Sequence, residues 1–242
     1  MNPESISIDQ VAGSAARARR LPLSGPIILP ANGRPPREVI VYLHGLASNG
    51  EVIEGLRARL QSSFPRALIA APNAPELLSA DGDARQWWPH TNLRQRSIAA
   101  GVKRAVPALQ RYLDALLAAA SLGDDRLVLV GFSQGAMLAL HAGLTRRRKV
   151  AAVLAYSGML AARALPYRAF GRKPRIMLMY GLSDPIIPAA YQLPAGPRLA
   201  AYGCPVRSHV RSDLGHAING IGYALGVRFI RQALGLPLDE AP

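Results

Sequence analysis

The stretch Leu127-Val128-Leu129-Val130-Gly131-Phe132-Ser133-Gln134-Gly135-Ala136 decides how this chain is read. Its first half is a continuous apolar run, too short for a helix, and it predicts a strand covered on both faces, here Arg126 to Phe132. From Gln134 to Leu144 the pattern becomes helical. Between the two stands Ser133, with Gly131 and Gly135 two residues away on either side. A chain that passes within one residue from a buried strand into a helix brings backbone segments so close that neighbouring side chains collide. Glycines remove those side chains, and the serine hydroxyl is left exposed at the tip. G-x-S-x-G in this setting fits a nucleophile on a strained turn; the bland alternative is a plain strand-to-helix turn with a capping serine.

Working outward, short β-branched runs alternate with longer helical stretches, which predicts an α/β fold with a mostly parallel central sheet and helices on both faces. Strands are expected at Val39–Leu43, Ala67–Ala71, Val150–Tyr156, Ile176–Tyr180 and Val206–Arg211, and helices at Glu51–Leu60, Pro197–Ala201 and Ile218–Leu234. Apolar residues at helical spacing from Arg94 to about Ala118 give a further helix, with a kink or split at Pro107. Around Leu21–Leu29 an edge strand, confined there by Pro22 and Pro26, is the expected hairpin partner of Val39–Leu43. Asn73–Asn92 has neither period and holds both tryptophans, Trp87 and Trp88; a loop that long in a compact domain is usually functional.

Composition narrows the function classes. In 242 residues, 29 Lys+Arg face 15 Asp+Glu for a formal net charge of +14, while half the residues are hydrophobic and 18% are charged. Such a chain folds around a core and is not a disordered tail. All but three of the cations are arginines, spread along the chain without interleaved aromatics or a recognisable nucleic-acid motif, so no nucleic-acid partner is expected. Of the two short basic clusters, Arg17–Arg20 and Arg146–Lys149, the second fits a helix C-terminus, whose dipole favours cations. The net field allows weak attraction to anionic membrane surfaces. No segment is long and apolar enough to span a bilayer, and the N-terminus lacks the layout of a secretory signal. With Cys204 as the single cysteine, no intrachain disulfide or thiolate zinc cluster can form, and the expected location is cytoplasmic.

A serine nucleophile needs a base and an acid, and in one known chain order both follow it. Downstream carboxylates are Asp184, Asp213, Asp239 and Glu240. Asp184 lies just past a strand's C-terminal end, where open α/β sheets hold ligands, and is the best acid. Of the downstream histidines, His141 lies inside the helix after Ser133 and His209 inside a strand. His216 lies on the loop before the last helix, free to reach the serine with one nitrogen and Asp184 with the other. The oxyanion of acyl transfer needs two fixed N–H donors. Gln134, after the nucleophile, supplies one, and Leu46, in His44-Gly45-Leu46-Ala47-Ser48-Asn49-Gly50, supplies the other. His44 is read as a structural loop residue.

Together with Leu43-His44-Gly45, Ala71-Pro72-Asn73-Ala74-Pro75, Arg85-Gln86-Trp87-Trp88, Ser157-Gly158, Gly181-Leu182-Ser183-Asp184-Pro185-Ile186-Ile187-Pro188 and Gly215-His216-Ala217-Ile218, the serine motif resembles the phospholipase/carboxylesterase family of α/β-hydrolases. The resemblance runs from about Val39 to Leu234. It implies the α/β-hydrolase fold, a Ser133–His216–Asp184 triad, and hydrolysis of small-molecule carboxylic esters or thioesters, small or medium in acyl chain, through an acyl-enzyme. No metal or organic cofactor is implied. By position, Trp87 and Ile186 match an apolar acyl pocket. Acyl-thioesterase or lysophospholipase activity on the same triad is the alternative, and a non-catalytic binding module is the rival from another class. Three departures stand out: Ala47 and Ser48 where relatives often carry glycine and an acidic residue, the Pro194–Pro197 interruption, and a beginning without a clear counterpart. The expected organisation is an N-terminal segment 1–37 with an edge hairpin, one α/β-hydrolase domain 38–236 and a tail 237–242, as a monomer or homodimer.

Overall fold

A computed structural model describes residues 21–89, 92–161 and 173–238. In chain order its elements are β1 (Ile27–Ile28), β2 (Glu38–Leu43), a 3-10 turn (Gly50–Leu56), α1 (Arg57–Ser63), β3 (Ala67–Ala70), β4 (Glu76–Leu77) and β5 (Arg85–Gln86). Then follow α2 (Gln95–Ala120), β6 (Leu127–Phe132), α3 (Gln134–Thr145), β7 (Ala152–Tyr156), β8 (Arg175–Gly181), α4 (Ala189–Gln192), α5 (Ala195–Ala201), β9 (Val206–Arg211) and α6 (Gly220–Leu234). The main sheet has the order β1-β3-β2-β6-β7-β8-β9. From β3 to β9 every neighbouring pair is parallel, and β1 alone runs against its neighbour. This is the α/β-hydrolase architecture.

Parallel strands covered on both faces alternate their side chains between two apolar layers. Val39, Val41 and Leu43 pack with Leu127 and Leu129 against α2 and α3, while Ile40, Val128, Leu154 and Met177 pack against Leu60 of α1 and Phe229 and Ile230 of α6. Every residue of α3 from Gln134 to Leu144 is buried. Because the register sets Leu43 beside Gly131 and Phe132 beside Tyr156, the loops that follow β2, β6 and β7 emerge together at one edge of the sheet. Among the described residues no helix is long and apolar enough to cross a membrane.

Four expectations need correction. The strand near residue 27 does not form a hairpin with β2; Ile27 and Ile28 pair antiparallel with Ala70 and Ile69 of β3 and close the sheet edge. Helix α2 runs unbroken through Pro107, because that residue lies on the exposed face, where water can reach the carbonyl left without a partner one turn earlier. The helix expected at 51–60 starts as the 3-10 turn and becomes α-helical only at Arg57. Within the 73–92 loop, β4 and β5 form a small ribbon. The cluster Arg17–Arg20 lies outside the described residues.

Helix α3 ends at Thr145, and Arg146 does not serve its carboxyl end as the dipole argument expects. Its guanidinium, 7% exposed, bonds to the carboxylates of Asp124 and Asp114 and to Gln110 Oε1 at 2.7 Å, tying α2 to α3. Arg146→Ala leaves the nearly buried Asp124 carboxylate without its cation, while the exposed Asp114 turns to water, and should lower unfolding stability in urea by about 2 kcal/mol.

Candidate active site

The turn between β6 and α3 holds Ser133 at φ +54 and ψ −117, a conformation that costs a non-glycine residue roughly 1–3 kcal/mol. Neighbouring bonds over-determine it. The Ser133 N–H donates to the Tyr156 carbonyl at 2.9 Å, and the Ser133 carbonyl accepts from the N–H of Ala136 at 3.0 Å and of Met137 at 3.2 Å.

Asp184 follows β8, and His216 lies on the loop between β9 and α6. His216 Nδ1 lies 2.8 Å from Asp184 Oδ2. Since a carboxylate only accepts, Nδ1 carries the proton of that bond, and it is Nε2 that can act as the acceptor when the ring is neutral. The Asp184 Oδ1 accepts from the N–H groups of Ile186 and Ile187, both at 2.9 Å, and its Oδ2 accepts a second bond from Gln192 Nε2 at 3.1 Å. Burial alone would raise the Asp184 pKa, but the bonds from His216, Ile187 and Ile186 outweigh it and hold the carboxyl below its ordinary value. The acid and base loops are joined by Ser183 Oγ, which donates to the Ser212 carbonyl at 2.9 Å. The imidazole also packs against Phe132, the residue before the serine, with ring centres 4.8 Å apart.

Ser133, His216, Leu46 and Gln134 line one cavity of about 270 Å³, whose further walls include Leu93, Met137, Ile186 and Ile187. Gln134, as the first residue of α3, presents an N–H without an intrahelical acceptor. Leu46 precedes Ala47, which takes φ +61, the left-handed region that favours glycine. That backbone is pinned from outside: the Ala47 N–H donates to the Arg85 carbonyl at 3.0 Å, and the Arg85 N–H to the Ser48 carbonyl at 2.9 Å.

Trp87 needs correction. It is not among the residues lining the cavity; it is buried, and its indole N–H donates to the His44 carbonyl at 2.9 Å. Its main-chain N–H donates to Gln134 Oε1 at 2.8 Å, and Gln134 Nε2 donates to the Trp88 carbonyl at 2.9 Å. The tryptophan therefore braces the loop bearing Leu46 against the turn bearing Gln134. Ile186, 59% exposed, stands at the cavity rim. Sequence reasoning missed Gln134's side-chain role and the Gln192 bond to Asp184, and missed Leu93 and Met137 as walls. Gln134's place beside the serine was the one available hint.

The remaining candidates lie elsewhere. His209 is paired within β9 opposite Met179, Asp213 is exposed beside Arg211, and Asp239 and Glu240 lie outside the described residues. His44 is fully buried; its Nδ1 bonds the Gly45 carbonyl at 2.8 Å and its Nε2 accepts from the Ala74 N–H at 3.0 Å, which only the neutral ring satisfies. Burial, helped by Arg85, pushes its pKa down. His141 in α3 is buried with Nδ1 unpartnered among the described residues, and burial with nearby Lys103 pushes its pKa from 6.5 to about 4. Both rings take up protons more readily in the unfolded chain. The stability they contribute is therefore complete above about pH 6.5 and is lost as pH falls toward about 4. His141→Leu should reduce the acid loss between neutral pH and pH 4 by about 3 kcal/mol, measured by urea unfolding at each pH.

A sequence model of the phospholipase/carboxylesterase family matches residues 27–232. Acyl-protein thioesterase 1 of Schizosaccharomyces pombe is 30% identical over 158 residues, 62% of this chain and 70% of its own. Esterase YpfH of Escherichia coli is 25% identical over 201 residues, 83% of this chain and 85% of its own. Among solved structures, esterase PE8 superposes with a TM-score of 0.82 at 33% identity, covering 88% of this chain and 99% of its own. With the family match spanning most of its length and the fold agreeing, the chain belongs to the phospholipase/carboxylesterase family of α/β-hydrolases.

Proposed function

We propose that this hydrolase cleaves carboxylic esters of short or medium acyl chains with a Ser133–His216–Asp184 triad. The observation that carries the reading is that the Asp184-bound His216 and the strained Ser133 open onto one small apolar cavity. His216 Nε2 takes the proton of Ser133 as its oxygen attacks the ester carbonyl. The negative charge that develops on the carbonyl oxygen is met by the N–H groups of Leu46 and Gln134; one such donor contributes roughly 3–4 kcal/mol in a comparable site. Asp184 keeps the proton on Nδ1 and stabilises the imidazolium, which then protonates the departing alcohol or thiol. Water, deprotonated by the same ring, attacks the acyl-enzyme and releases the acid and Ser133.

Size supports the shorter chains. At about 270 Å³ the cavity falls just below the roughly 300–1,000 Å³ of pockets that hold drug-sized ligands. Initial rates on p-nitrophenyl esters from acetyl to palmitoyl, with matching acyl-thioesters, test this. A maximum at short or medium oxygen esters is expected. A maximum at palmitoyl or at the thioesters would replace the reading with the lipid or acyl-protein alternative.

A further inference from the structure

The end of helix α4 is turned against the usual burial preference. Its glutamine, Gln192, is fully buried, while its neighbours Tyr191 and Leu193 are each 44% exposed. A buried amide between exposed apolar side chains is the informative case, since water would hydrate the amide and burial would favour the other two. The arrangement also leaves Gln192 Oε1 without a hydrogen-bond partner among the described residues. The side chain bonds only through its other end: Nε2 donates to the Ile187 carbonyl at 2.5 Å and to Asp184 Oδ2 at 3.1 Å. The reverse orientation of the amide would set its oxygen against these two acceptors, so the donors must face them.

We propose that Gln192 is a positioning residue for the triad, acting on His216 through Asp184. An ionised carboxylate offers about four lone-pair sites. At Asp184 four donors meet them: the N–H groups of Ile186 and Ile187 on Oδ1, and Gln192 Nε2 and His216 Nδ1 on Oδ2. The Asp184 side chain is closed to solvent, so water does not stand in for any of the four. With Gln192 on one side of Oδ2, a single direction is left for the imidazole. The bonds also close a circuit, because Ile187 gives its N–H to Oδ1 and its carbonyl accepts from Gln192. Without the amide, the main chain grips the carboxylate at Oδ1 alone. It can then turn about its last bond and carry the imidazole out of line with Ser133. Gln192 itself does not line the catalytic cavity. The assignment rests on the esterase reading of this site and adds to it a residue that meets neither substrate nor serine.

Gln192→Met removes the donor at nearly constant volume, and Gln192→Leu repeats the test with a different shape. On p-nitrophenyl butyrate each should lower kcat by about 10- to 100-fold, as loss of an outer hydrogen-bond partner does around bound metals, and leave KM within about threefold. Their urea midpoints should stay within about 0.5 M of the wild type, because the unpaired Oε1 disappears together with the donor. Asp184→Ala should cost about 10⁴-fold in kcat, and in that background Gln192→Met should change kcat by less than about twofold, since no carboxylate remains to be held. The same loss with and without Asp184, unchanged kcat in both single variants, or failure of both to fold would each overturn the proposal. Wild-type kcat in Asp184→Ala would instead remove the triad reading and this assignment with it, so the two failures are told apart.

Discussion

Ser133→Ala is expected to lower kcat/KM for ester hydrolysis by about 10⁴- to 10⁶-fold, the range seen when a serine triad loses its nucleophile. The residual rate would come from the donors of Leu46 and Gln134 acting on water's attack. Folding should hardly change. Alanine inherits the same φ of +54, and the bonds that hold the turn are made by the backbone of residue 133. Ser133→Gly separates the two effects. It should be equally inactive yet more stable by about 1 kcal/mol, because glycine takes that conformation without the steric cost and loses only part of the gain to its freer unfolded chain. Stopped assays on purified variants, with urea unfolding on the same samples, check both statements. Retention of more than about one hundredth of the wild-type rate by Ser133→Ala would remove Ser133 from the mechanism.

Gly135→Ala should be a severely damaging methyl addition in the site. A Cβ built there would lie 2.1 Å from the Leu43 carbonyl oxygen and 2.6 Å from that of His44. Both are main-chain atoms at the end of a central strand, so neither can swing aside as a flexible side chain would. Helix α3 must move off β2, and it carries Ser133 and the Gln134 N–H with it, away from the loop that holds Leu46. We expect a stability loss of about 3 kcal/mol or more, and a fall in kcat of about 100-fold in the molecules that remain folded, since misplacement near 1 Å has that effect. Gly55→Ala is the matched control. Nothing lies within 4 Å of a Cβ there, and it should behave as wild type.

The candidate site was legible where it depends on local backbone. The Gly131–Ser133–Gly135 spacing can serve few purposes between a buried strand and a helix, and chain order then left Asp184 and His216 as the acid and base candidates that meet in the structure. What escaped depends on contacts between distant segments. Nothing around Ile27 says that its partner is β3 and not β2, since both strands are equally apolar. Pro107 reads as a helix breaker until one knows which face of α2 meets solvent. The resemblance put Trp87 in the acyl pocket by position, yet its indole N–H is committed to a carbonyl 43 positions earlier in the chain. The Gln192 bond to Asp184 is of the same kind, made by a short helix whose placement no local pattern announces.

The brace formed by Trp87, Gln134 and His44 also bears on how such an enzyme changes over time. On the proposed mechanism the groups that would hold the carbonyl oxygen are fixed by these buried side chains, whereas the acyl chain would be met by Leu93, Ile186 and Ile187, whose side chains make none of those bonds. Substitutions at the cavity wall can therefore accumulate and redirect the enzyme to new substrates while the reaction itself proceeds as before. A change in the brace has no such freedom, because it alters every substrate's chemistry at once. Adaptation in this protein has an open route at the rim and a closed one at the brace.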